Sequence, residues 1–84
     1  MKVSVRYFAS IREALGPGEQ VEIAPGATLG ALRDALIARG GRHAEVLARG
    51  RALRAALNQV MASDESLPVG EGAEVAFFPP VTGG

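Results

Sequence analysis

An α+β domain, a mixed sheet packed on one main helix with short helices beside it, is the fold class that three observations predict. The chain opens on alternation from Lys2 to Phe8: Val3, Val5 and Tyr7 share one face, and Lys2, Ser4, Arg6 and Phe8 the other. That is the period of a half-buried strand. One helical stripe follows, with Leu29, Leu32, Leu36 and Ile37 at helical spacing. Strand-like runs then crowd the second half, so the order is strand, strand, helix, strand, strand, strand.

Each element has a local cause. Ser10-Ile11-Arg12-Glu13 has capping-box spacing and predicts a short helix over 11–15, stopped by Gly16-Pro17-Gly18. Residues 20–23 read as a second strand with Val21 and Ile23 inward, antiparallel to the first. Pro25-Gly26 makes a turn and Thr28 an N-cap for the main helix, with Arg33 and Asp34 off its apolar stripe. Arg39-Gly40-Gly41 reads as its C-terminus. Residues 42–50 predict a short helix or irregular segment, with Val46 and Leu47 at the core edge and His43 exposed in a loop. Two short strands, 53–57 and 60–63, turn at Asn58-Gln59. A polar link over 64–72 is pinned by Leu67 and Val69, and residues 74–78 form the last strand.

Composition narrows the function. A chain of 84 residues makes one small domain, and 48% hydrophobic content suffices for one core. Without cysteine there is no disulfide, no thiolate metal site and no thiol for group transfer. Nine basic and nine acidic residues cancel, which argues against nucleic-acid binding. Arginine supplies eight of the nine basic residues, Lys2 being the only lysine. The start MKVSVRYF reads as strand rather than signal peptide, and no apolar run has transmembrane length. The expectation is a cytoplasmic protein with no membrane partner.

The ending FFPPVTGG carries the sharpest signal. Pro79 and Pro80 lack N–H donors and stop the ladder, so the chain leaves the sheet as a stiff, extended arm. Val81 and Thr82 continue it, and Gly83-Gly84 make a tip without Cβ atoms, thin enough for a narrow channel. Residues 1–78 are thus the folded domain and 79–84 a reactive tail. Alternation also turns Phe8, Met61 and Phe78 onto the otherwise polar face. If the first and last strands are parallel neighbours in the middle of the sheet, the fold is the β-grasp, or ubiquitin-like, roll. Those three side chains then form an apolar patch at the root of the arm, the mark of a partner surface.

No catalytic constellation accompanies this arm. There is one histidine and no cysteine, GPG and GG lack the lysine and spacing of a phosphate loop, and no metal set is legible. Asp34, Glu45 and Glu71 read as solvated surface. The α-carboxylate of Gly84, with a pKa of about 3.5, is ionised at neutral pH and can attack an α-phosphate. Attack on ATP gives an acyl-adenylate, from which a sulfur nucleophile displaces AMP to leave a thiocarboxylate. This is group carriage on the chain's own end.

The pieces YFASIREALG, ALNQVMAS, LPVGEGAEVAFFPPV and the terminal TGG together resemble the small, sulfur-carrying subunit of molybdopterin synthase. This is the MoaD type of the MoaD/ThiS ubiquitin-like family, and the likeness spans essentially the whole chain. The resemblance implies a β-grasp fold and a non-catalytic, sulfur-donating subunit of a sulfurtransferase. It implies no bound cofactor, with ATP and magnesium used by a ubiquitin-activating-type adenylating enzyme and sulfur drawn from a donor protein. It further implies a heterotetramer with the synthase large subunit, where sulfur passes to cyclic pyranopterin monophosphate. Carried across, the reactive group falls on Gly84 beside Gly83, the arm on Pro79, Pro80, Val81 and Thr82, and the docking positions on Phe8, Met61 and Phe78. The chain departs from the family's pattern at GPGEQVEIAPGAT and in the arginine-rich stretch 42–54. Alternatives are a carrier for thiamin or tRNA thiolation, a ubiquitin-like modifier joined to target lysines through Gly84, or a plain binding module indifferent to its tail.

Overall fold

The computed structural model describes residues 1–62 and 64–80. Its elements run β1 (Lys2–Tyr7), α1 (Ala9–Leu15), β2 (Gly18–Glu22), α2 (Leu29–Ile37), α3 (Gly41–Val46), β3 (Arg54–Leu57), β4 (Val60–Ala62) and β5 (Glu74–Phe78). They form one five-stranded sheet in the order β2-β1-β5-β3-β4. β1 and β5 pair in parallel, Val5 opposite Val75 and Tyr7 opposite Phe77, and the other three pairings are antiparallel. The first and last strands therefore lie side by side within the sheet, which makes this an α+β fold of the β-grasp type.

The period-2 pattern of β1 and β5 places Val3, Val5, Tyr7, Val75 and Phe77 on one face, all buried. α2 covers that face with Leu29, Leu32 and Leu36, each almost fully enclosed. Burying such a side chain contributes about 1.5–3 kcal/mol, so this stripe is a principal source of stability. Thr28 caps α2 as expected, its Oγ1 accepting from the Ala31 amide at 3.1 Å. Asn58 and Gln59 turn β3 into β4 with φ of 50° and 70°. The Asn58 side chain accepts the Glu74 amide at 2.9 Å and ties this turn to β5. Among the described residues no helix is long and apolar enough to cross a membrane.

Several local expectations are corrected. The capping box at Ser10 is not used. α1 begins at Ala9, and the Ile11 and Arg12 amides donate to the Phe8 carbonyl. The strand has already bent there, so Ser10 falls inside the helix. β2 starts at Gly18, earlier than expected, and pairs to the end of β1. α2 stops at Ile37, because the Arg39 and Gly40 amides turn back onto Leu36 and Ile37. Leu67 is 39% exposed rather than pinned. Its carbonyl, accepting from the Leu29 amide, does the anchoring instead. Leu47 lies in the core itself, beyond its expected place at the edge.

Arg33 departs furthest from expectation. It is buried, although helical spacing sets it off the apolar stripe of α2. Its guanidinium donates to the Leu47 carbonyl at 2.8 Å, the Ala48 carbonyl at 2.7 Å and Glu65 at 2.9 Å. A buried cation is tolerable only when so fully partnered. His43 is likewise not in a loop. It lies on α3, part-buried, with its Nε2 2.8 Å from Glu19.

Candidate functional site

β5 is flanked on both sides, by β1 and by β3, and Pro79 and Pro80, the first residues of the expected arm, follow its C-terminal end. The Phe8 amide donates to the Phe77 carbonyl at 3.1 Å, extending the β1–β5 ladder one residue past β1. Ala9 then takes φ of 53°, an uncommon conformation for alanine that swings the chain away into α1. Phe8 is left extended beside the end of β5, 40% exposed. Phe78 points to the same outer face, half-buried, with Arg54 of β3 as its register partner.

Met61 completes the patch from farther off. It is 61% exposed and sits opposite Ala56, which in turn faces Ala76 of β5. The structure thus gathers Phe8 and Phe78 at the arm's root. Met61 is carried to the same face across two small alanines. Arg6 borders the patch, its guanidinium carbon 6.0 Å from the Phe8 ring centroid, within cation–π range.

On the opposite face the arm's root borders a cleft of about 200 Å³ lined by Ile11, Val46, Leu53 and Pro79 together with Ser10 and Arg51. The backbone entering this cleft, from Leu47 onward, is held by the Arg33 guanidinium. Arg49 adds a bond to Glu65 and one of 3.0 Å to Asp34. The bond from Arg49, then that from Arg33, outweigh burial and lower the Glu65 pKa. Pro79 and Pro80 follow β5 directly and are half-buried. Val81, Thr82, Gly83 and Gly84, to which the arm and its reactive end were assigned, lie outside the described residues.

A second polar cluster lies on the helix-covered face. The Tyr7 hydroxyl donates to Glu19 at 2.7 Å, and Arg39 donates to the other carboxylate oxygen at 2.5 Å. Burial raises the Glu19 carboxyl, but the bonds from Arg39, His43 and Tyr7 outweigh it and hold the pKa at about 2. Burial, then the bond to Glu19, pushes the Tyr7 phenol well above its ordinary value. Because every charge here is matched, the cluster serves to tie β2 to α3. Among the described residues no group of three or more histidine, cysteine, aspartate or glutamate side chains could hold a metal ion.

Sequence reasoning missed both clusters. Glu19 was in principle legible, since it shares the inward parity of Val21 and Ile23. Arg33 offered only the hint of a position beside Leu32 in the core stripe.

The ThiS family matches residues 5–84 of this chain. The chain is 43% identical over 82 residues to the molybdopterin synthase sulfur carrier subunit of Escherichia coli, covering 98% of this chain and 99% of that one. Subunit 1 and 2 of the molybdopterin-converting factor from Helicobacter pylori were solved as a protein–protein complex. A chain of that structure superposes with a TM-score of 0.71 at 27% identity, covering all of both chains. The small archaeal modifier protein 1 of Haloferax volcanii superposes with a TM-score of 0.76 at 25% identity, over 95% of this chain and 98% of that one.

Proposed function

This chain belongs to the ThiS family, and on that premise we propose that it is the sulfur carrier of a molybdopterin synthase. The observation that carries the reading is its full-length likeness to the Escherichia coli sulfur carrier subunit. An outward apolar patch beside the root of the arm supports it.

The Gly84 carboxylate attacks the α-phosphorus of ATP in the site of an adenylating partner, and pyrophosphate leaves. A persulfide sulfur of a donor protein adds to the acyl-adenylate carbon and AMP departs; a second thiol of the donor then breaks the S–S bond, leaving a thiocarboxylate on Gly84 and a disulfide on the donor. The domain then docks through Phe8, Phe78 and Met61 on the synthase large subunit. Pro79 and Pro80 stiffen the exit, Val81 and Thr82 extend it, and Gly83 lets the tip enter a narrow channel. There the thiocarboxylate sulfur bonds to a carbon of the pterin acceptor in place of oxygen, and water cleaves the resulting thioester, leaving sulfur on the acceptor and returning the Gly84 carboxylate. The chain holds no cofactor; ATP and magnesium belong to the partner's chemistry. Two small subunits on a large-subunit dimer, in the cytoplasm where ATP is present, complete the proposal.

Mass spectrometry of the C-terminal peptide tests it. Cleavage after Glu74 releases residues 75–84, a peptide without methionine, whose oxidation would nearly mimic exchange of oxygen for sulfur. With ATP, a sulfur source and the adenylating partner, a thiocarboxylate on Gly84 is expected. A plain carboxylate under those conditions refutes the reading.

The Haloferax volcanii likeness favours a second reading, a ubiquitin-like modifier. Conjugates through Gly84 that survive reduction and denaturation would support it over the carrier.

A further inference from the structure

The outer face of the sheet is sorted by charge along its strands. Far from the arm, Lys2 stands opposite Glu22, and Ser4 lies between Gln20 and Glu74. Near the arm one row reads Arg6, Ala76, Ala56, Met61, and the next holds Phe78 beside Arg54, with Phe8 following Tyr7 at the end of β1. These two rows bring two guanidinium groups and no carboxylate to the apolar patch. Both arginines are exposed, and among the described residues neither forms an ion pair, whereas Arg33, Arg39 and Arg49 are each paired.

A partner that covers Phe8 and Phe78 must also strip water from Arg6 and Arg54. Removing a cation from water is unfavourable unless the partner returns a matching charge. Arginine beside a buried aromatic anchor is also a common centre of binding energy when so matched. We infer that the arm-side face takes a protein partner with apolar pockets for Phe8, Phe78 and Met61 and two carboxylates set to receive Arg6 and Arg54. Two strand spacings and a two-residue offset along β5 put the two arginine Cα atoms about 12 Å apart. A second copy of this chain fits poorly, because patch-to-patch contact would gather four guanidinium groups with no counter-charge. The inference rests on the carrier reading, in which the partner is the synthase large subunit.

The test is calorimetric titration of the full chain into its purified cognate large subunit at low and high salt. Arg6→Glu and Arg54→Glu should each weaken binding roughly tenfold or more, and in the double variant added salt should strengthen binding where it weakens that of the parent. Arg42→Glu, at an exposed position of α3, should stay within about twofold of the parent as a control for net charge. Matching thermal melts establish that the variants fold, with Arg6→Gln and Arg54→Gln as milder replacements where a reversal does not. Parent-like binding by both reversals, or an equal loss in Arg42→Glu, overturns the inference while leaving the carrier reading intact. No binding by the parent chain removes both. Dimerisation of the parent chain through this face, abolished by Phe78→Ala, would also overturn it in favour of a second copy.

Discussion

Replacing Arg33 by methionine keeps the aliphatic stem of a buried side chain and removes its guanidinium. In the folded protein that group satisfies the Leu47 carbonyl at 2.8 Å and the Ala48 carbonyl at 2.7 Å, reaches the Arg51 carbonyl at 3.4 Å, and pairs with Glu65. Glu65 is half-open to solvent and keeps Arg49, so its loss is small. The two closest carbonyls lose their donor in a largely dry setting, at about 1–3 kcal/mol each. Partial access of water to the Ala48 side brings the expected total to about 2–4 kcal/mol. For a domain of this size that lowers the melting temperature by roughly 10–25 °C.

Urea denaturation reads the change directly, as a lower midpoint at unchanged slope. Arg49→Met is the internal comparison. It removes more ion pairs by count, but Arg49 is exposed, so it should cost less than about 1 kcal/mol. A loss within about 0.5 kcal/mol of zero for Arg33→Met, or an equal loss for Arg49→Met, would refute the reasoning that burial of the partners sets the cost.

The Glu19 carboxyl sits at about 2 in the folded chain against an ordinary value of 4.5. Its stabilisation is therefore fully present above the ordinary value and lost as pH falls toward the folded one. Glu19→Gln should flatten that acid limb in pH-dependent melts and remove on the order of 2 kcal/mol at neutral pH, after allowance for solvent screening. Phe78→Ala should leave the melt within about 1 kcal/mol of the parent yet weaken large-subunit binding at least roughly tenfold; unchanged binding would dissociate the patch from docking. Gln59→Gly should stabilise the β3–β4 turn by about 0.5–1 kcal/mol, because Gln59 holds φ of 70°. A melting temperature that falls instead would show that the glutamine side chain holds the turn.

Much of this protein was legible in the sequence because it is decided over short distances. Alternation sets the faces of β1 and β5, so the outward placement of Phe8 and Phe78 needs only a correct count of parity. Leucine spacing and Thr28 specify α2, and consecutive prolines end β5 without reference to anything remote. What tertiary structure alone decided depends on partners far along the chain. Parallel pairing of β1 with β5 joins strands from opposite ends of the sequence, and no local period encodes it. Arg33 looked like an ordinary surface cation until the chain 14 residues later brought the Leu47 carbonyl against it. Glu19 and His43, separated by 24 residues, became one cluster only when α3 packed near β2. Local propensity fixes which way a side chain faces; whether a charge can be buried is settled by the donors and acceptors that folding delivers to it.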